Sequence, residues 1–408
     1  MQKHKADKYR KRRVRDKERQ RTTQKHQTQR TTHKPTRQMG NLCRLRTAIC
    51  HGNSRSVPST YVEGFQNKDD VLHMPHCILG DTGLKVSKLS FGASSLGSVF
   101  RETDDTESQN VVHTALKTGI NYLDTAPWYG HGKSETVLGK ALQGVPRESY
   151  YVATKVGRYL PEVEKMFDFR AERTLQSVDE SLQRLGLDSV DIIQVHDMEF
   201  APSLDIIINE TLPALQKVKD SGKAKFIGIT GYPLQNFKTV LERSTVKIDS
   251  ILTYCRACIN DNSLQEYIPF LKERGVGIIN ASPVGMGLLT HRGPPAWHPA
   301  LPVTKAACAE AAKYCEGQGV DISRLAMGYT LDNNDVHTTL FSTASLVNLK
   351  RNLDIVRNPL TQQEKTVLQH IITKYMEPLT NRHWEGVEVA HYWQQIKGNE
   401  PKEEFVLG

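Results

Sequence analysis

Asp124, Tyr129, Lys155 and His196 are four polar residues at, or just past, the ends of separate apolar runs rich in β-branched residues. Asp124 closes Ile120-Asn-Tyr-Leu-Asp, and Tyr129 follows on the loop Thr125-Ala-Pro-Trp-Tyr-Gly-His-Gly. Lys155 closes Tyr151-Val-Ala-Thr-Lys, and His196 closes Val190-Asp-Ile-Ile-Gln-Val-His. A carboxylate, a phenol, an amine and an imidazole make a proton-transfer set, provided the strands that carry them share one sheet. Alone, each has a plainer reading: an Asp caps helices, a strand-end Lys is solvated, and a His fills a core.

The chain around them alternates. From residue 84, short apolar runs predict strands at 88–93, 120–124, 150–155, 190–196, 226–230, 250–253, 277–281 and 338–342. Amphipathic stretches follow each one; 170–185, for example, repeats Leu175, Val178, Leu182 and Leu185 on one face, and Ser134 suits the N-cap of 134–142. Gly119, Gly186, Gly222 and Gly275 stand where helices should stop. Eight strand–helix units in this length predict a closed α/β (β/α)8 TIM barrel, because no run carries the Pro or charge of an open edge. A Gly-flanked turn within 77–86 predicts an N-terminal hairpin, 361–375 a further helix, and 391–408 a loose polar tail covering part of the barrel. The organisation expected is an extension over 1–75, the barrel over 76–380 and a tail over 381–408.

The positive charge is local. Residues 1–57 hold 18 Lys/Arg against Asp7, Asp16 and Glu18, a formal +15, while the whole chain is +9; the remainder is therefore acidic, at −6. Such a segment, nearly free of apolar residues, reads as a disordered basic tail. Nuclear targeting, an organellar presequence, or RNA or anionic-surface contact are its functional options, and a dispensable extension is the plain one. Nucleic acid is expected only through residues 1–57. No stretch approaches a membrane span, so no membrane role is expected. Seven cysteines, an odd and scattered set, suit a reducing, cytoplasmic setting. Cys255-Arg-Ala-Cys258 has redox spacing, but it has neither a second pair nor a His for zinc, and no metal site is assigned.

Over 77–375 the sequence resembles the aldo-keto reductases. The segment Asn121 to Leu142 looks like the signature around the family's catalytic Asp and Tyr; Ala153-Thr-Lys155 resembles its Lys signature and Asp191–His196 its His strand. His196-Asp-Met-Glu-Phe200, Gly228–Pro233 and Ala281–Thr290 look most like the L-galactose dehydrogenase-type branch. The resemblance implies Tyr129 as proton donor or acceptor, Lys155 tuning it, Asp124 anchoring Lys155, and His196 orienting the carbonyl. The chemistry agrees. An unperturbed phenol is a weak acid at neutral pH, and a nearby ammonium is expected to lower its pKa.

The resemblance further implies a bound NAD or NADP. Thr230 and Gly231 fall near its carboxamide, Thr253 where a Gln is usual, and Ser282, Pro283, Val284, Gly285 and Gly287 on the pyrophosphate loop. Ala281 stands where an aromatic often stacks on the nicotinamide. Ser342, Asn348, Arg351 and Asn352 fall at the adenosine end, where Ser342 and Asn348 replace the Lys and Arg of many NADP-preferring members; Lys350 and Arg351 remain available to a phosphate. The balance leans to NAD. The motif Gly130-His-Gly-Lys-Ser-Glu135 lacks a third Gly and is rejected as a dinucleotide loop.

Trp128, Tyr159 and Trp297 are the loop residues expected at the substrate, with His298 and Ser94 nearby. A small carbonyl or sugar substrate follows, with oxidation of an aldose at C1 to a lactone as one outcome, in a monomer or weak oligomer. Two rivals stand beside this oxidoreductase. One is a nucleotide-binding regulatory barrel with little turnover; the other is a nucleic-acid-associated protein acting through its tail.

Overall fold

The computed structural model describes residues 56–99 and 101–399. Residues 1–55, which carry nearly all of the basic extension, lie outside the described residues. Eight parallel strands close into a barrel in the order β3 (Leu89–Gly92), β4 (Tyr122–Asp124), β5 (Tyr151–Val156), β6 (Val190–Val195), β7 (Ala224–Gly231), β8 (Ser250–Tyr254), β9 (Gly277–Ala281) and β10 (Thr338–Ser342), with β10 pairing back to β3. All eight predicted strands are present, and helices pack around them.

Strand alternation divides the core into two shells. Leu123, Val152, Ile193, Ile227, Ile251 and Ile278 point outward against helix faces such as Val111, Ala115 and Leu116, and Val178, Leu182 and Leu185. Tyr122, Ala153, Ile192, Leu252, Ile279 and Leu340 point inward and fill the lumen. The hairpin β1 (His76–Ile78) and β2 (Lys85–Ser87) is antiparallel, and its Leu79, Leu84 and Val86 join that lumen cluster. The hairpin thus plugs one end of the cylinder, and the chemistry is confined to the end where the parallel strands finish.

Three boundaries differ from expectation. Residues 56–75 are folded onto the barrel rather than belonging to a loose extension: Lys68–His73 is a helix capped by Asn67, and Gln66 Nε2 donates to the Leu116 carbonyl. Ser134 lies inside the helix Lys133–Leu142, and its hydroxyl donates to the Ala93 carbonyl at 2.7 Å instead of capping. The polar stretch after 381 contains the helix Val387–Asn399, whose Tyr392 meets Phe167 and Phe200 edge-on. Among the described residues, no helix is long and apolar enough to cross a membrane.

Candidate active site

The register brings the four polar residues together. Asp124 ends β4, Lys155 is one residue short of the end of β5, and His196 follows the last residue of β6; alternation turns Asp124 and Lys155 into the rim. Lys155 Nζ donates to Asp124 Oδ1, to the Thr125 carbonyl at 2.8 Å and to the Tyr129 hydroxyl at 3.4 Å. The second oxygen of Asp124 accepts from Gln194 Nε2 at 2.7 Å, so this buried carboxylate is fully engaged. The rings of Tyr129 and His196 meet edge to face, 5.7 Å apart. Tyr129 is fixed by its loop as well as by its partner. Gly97 and Gly130 pack backbone on backbone, and a Cβ on Gly130 would stand 2.2 Å from the Gly97 oxygen. Only glycine lets the two loops close at this distance.

Electrostatics assign protons to these groups. Burial raises the pKa of Tyr129; Lys155 pulls the other way, and Asp124 and Asp197 push further up. The expected acidified phenol is therefore met only in the sign of Lys155's contribution, because desolvation outweighs one paired ammonium. Burial drives His196 down to about 3, with Lys155 and Arg158 adding to the fall and Asp197 opposing it. The imidazole is neutral at physiological pH and can donate one N–H to an oxygen beside it. This set can hand a proton between Tyr129 and a substrate oxygen while His196 orients that oxygen.

Several further residues at the rim receive no role from sequence, although Asp197 and Glu199 stand in the motif His196-Asp-Met-Glu-Phe200. Asp197 takes a left-handed φ of 48°, its backbone N–H donates to Thr230 Oγ1, and its carboxylate lies 3.7 Å from His196 Nε2. The same carboxylate accepts from Arg158 at 2.6 Å, and that guanidinium stacks 4.1 Å above the Trp128 ring. Glu199 Oε1 accepts from the Tyr232 N–H, and a Cβ on Gly231 would stand 2.7 Å from Oε2. Glycine at 231 is thus the residue that admits Glu199. The only available cue was the acid pair in His196-Asp-Met-Glu; Gln194 sits inside an apolar run, detectable only by counting inward positions.

Beside Tyr129 runs a groove of about 620 Å³, lined by Ser94, Leu252, Ala281, Ser282, Pro283, Val284, Gly287, Trp297, Ser342 and Asn352 among others. Val284, Ser342 and Asn352 also line a second cavity of about 760 Å³ with Asn348, Lys350, Arg351 and Arg324. The two cavities share Val284, Thr290, Ser342 and Asn352, and the second is lined by cations, a donor chemistry that suits a dinucleotide. Gly285 lies in the turn between them with φ 61°.

Other expected positions fall elsewhere. Leu252 faces the lumen and Thr253 is wholly buried on the helix side, in register with Asn280. The register is off by one, and Tyr254 takes the inward position. Tyr159 is also buried, its hydroxyl accepting from the Gly157 N–H and its ring covered by Arg173. His298 is buried too and bonds the Gly285 carbonyl. Trp297 lines the groove and is 58% exposed, whereas Trp128 is half-buried beneath Arg158 and lines none of the cavities. The Cys255 and Cys258 thiols both point to the Ser282 carbonyl and brace its loop.

The model of the aldo/keto reductase family matches residues 88–372. The chain belongs to the aldo-keto reductase family. It is an oxidoreductase on that ground, and aldo-keto reductases use NAD(P)H. Its relatives include L-galactose dehydrogenase of Arabidopsis thaliana, 46% identical across 75% of this chain and 95% of that protein. D-arabinose 1-dehydrogenase of Saccharomyces cerevisiae is 30% identical over 73% of this chain and 93% of its own. Among solved structures, the aldo-keto reductase AKR11C1 from Bacillus halodurans, in its holo form, superposes with a TM-score of 0.62 at 32% identity, covering 73% of this chain and 96% of that one. This aldo-keto reductase therefore has sugar dehydrogenases among its relatives, matched over nearly their full length.

Proposed function

We propose that the protein is an NAD(P)-dependent aldose 1-dehydrogenase that oxidises a sugar at C1 to its lactone, or reduces a small carbonyl in the reverse direction. The observation that carries this reading is the hydrogen-bonded set Asp124–Lys155–Tyr129 beside a neutral His196, at the mouth of the long groove. When bound, the nicotinamide accepts the hydride from C1 or returns it. Tyr129 takes the hydroxyl proton in oxidation and gives it back in reduction. Lys155 stabilises the phenolate, and Asp124, held by Gln194, keeps Lys155 placed. His196 donates its N–H to the same substrate oxygen.

Ser282, Pro283, Val284 and Gly287 line the groove and suit the pyrophosphate, with Gly285 in the same turn, whereas Thr230, which accepts from the Asp197 N–H, and Gly231, packed against Glu199, line neither cavity. Ser342, Asn348, Arg351 and Asn352 suit the adenosine end. Arg324 in that cavity is already engaged by Glu364 and Asp354, which leaves Lys350 and Arg351 for a 2′-phosphate. Both are exposed on a helix rather than built into a bidentate pocket, which supports use of NAD with tolerance of NADP.

The test is a screen of neutral sugars, sugar acids and simple aldehydes with both coenzymes across pH. A neutral aldose is expected as the best substrate, and a preference for NADPH above a hundredfold would overturn the lean to NAD. Burial holds the phenol above its ordinary pKa, so it is protonated at neutral pH. Oxidation is therefore expected to accelerate with pH up to the alkaline range, with reduction flat over the same span. A bell centred near pH 6 would point to a different base.

A further inference from the structure

A third cavity, of about 290 Å³, opens where three loops of the barrel rim meet. Its lining includes Arg101 and Thr103 from the loop after β3, Arg292 from the loop after β9, and Ser342, Thr343 and Asn348 from the end of β10 onward. Among the described residues no acid lines it, and neither arginine is paired with a carboxylate or held by a side-chain hydrogen bond. Two guanidiniums lining one small space without an acid repel each other, and an anion between them removes that repulsion. Thr343 Oγ1 accepts from the Ser345 N–H at 3.1 Å, which leaves its own proton to donate, and Asn348 adds an amide.

The position of the cavity identifies the anion. Ser342 lines this cavity, the groove and the larger cavity at the adenosine end alike, and Arg292 lines the groove as well. The small cavity therefore opens at the junction of the other two. A dinucleotide with its pyrophosphate on the loop 282–287 and its adenine in the outer cavity has its adenosine ribose at that junction. We propose that Arg101 and Arg292 receive the 2′-phosphate of NADP and so determine how well the protein uses that coenzyme. The inference rests on the coenzyme reading above and names the contacts that separate NADP from NAD. Lys350 and Arg351 line the outer cavity together with Asp321 and Asp354, acids that oppose a phosphate carrying nearly two negative charges. In the small cavity the same group meets two cations with no acid beside them, each able to offer a forked pair of N–H donors. Ser342 and Asn348, short and uncharged, leave room there for arginines from two other loops.

The test titrates the full chain with NADPH and NADH at several salt concentrations, comparing wild type with Arg101→Ala, Arg292→Ala, their combination, and Lys350→Ala/Arg351→Ala. Wild type is expected to bind NADPH within about tenfold of NADH. The Arg101/Arg292 double variant should raise the NADPH Kd roughly 10–100-fold and leave the NADH Kd within about twofold. Salt should weaken NADPH binding to wild type more steeply than to the double variant, because the lost contacts are exposed ion pairs. The Lys350/Arg351 variant should weaken both coenzymes alike. In wild type, adenosine 2′-phosphate should displace NADPH better than adenosine 5′-phosphate, a preference that the double variant loses. Equal losses for both coenzymes in the Arg101/Arg292 variant, an unchanged NADPH Kd, or an NADPH-selective loss in the Lys350/Arg351 variant would overturn the assignment. Wild-type protein that binds NADH but binds NADPH over a hundredfold more weakly would overturn this inference alone, whereas protein that binds neither would overturn the coenzyme reading as well.

Discussion

Tyr129→Phe is expected to lower kcat by roughly three orders of magnitude while coenzyme Kd changes less than about twofold. The hydroxyl is in hydrogen-bond reach of Lys155 and lines the groove; Asp124 lines it too, but its two oxygens are held by Lys155 and Gln194. Removing it deletes the proton carrier and leaves the ring, its edge-to-face contact with His196 and the clamped loop in place. Single-turnover kinetics with either coenzyme, beside a fluorescence titration of coenzyme binding, separates the two quantities. A variant retaining a tenth or more of its rate would show that the proton travels by another route.

Lys155→Met is expected to damage both stability and activity, and the two losses can be told apart. Lys155 and Asp124 are nearly inaccessible to solvent, with side-chain exposures of 1% and 3%. Removing one partner leaves a buried carboxylate with only Gln194 to hold it, at a cost of about 3–5 kcal/mol. Adding Asp124→Asn removes that stranded charge, so the double variant should regain much of the stability measured by urea unfolding. It should not regain activity, because the phenol has lost the ammonium that opposes the effect of burial on its proton. Recovery of turnover in the double variant would mean that Lys155 serves the fold alone.

The eight strands were legible because each is a short apolar run whose period and glycine stops leave one reading, and Asp124, Lys155 and His196 mark their ends. Tyr129 was reachable from the loop motif. The neighbours that set the character of the site were not. Gln194 is one inward residue in an apolar strand, and its role exists only through Asp124. Arg158 comes from the loop after β5, and Asp197 and Glu199 from the loop after β6; local patterning does not encode the meeting of Arg158 with Asp197. The helix Val387–Asn399 read as a polar tail because aromatic contacts with Phe167 and Phe200, distant in sequence, hold it. Thr253 was misplaced by one residue, and in a strand that shift reverses the face. The pKa of Tyr129 turned on burial, a quantity the linear sequence does not carry.

The most direct measurement is incubation of the purified protein with a neutral aldose deuterated at C1 and oxidised coenzyme, with both products examined. The expected products are the aldonolactone and reduced coenzyme with deuterium carried onto the nicotinamide ring, and both signals should be lost in Tyr129→Phe. Reduced coenzyme without deuterium, or no turnover of any sugar with either coenzyme, would contradict it.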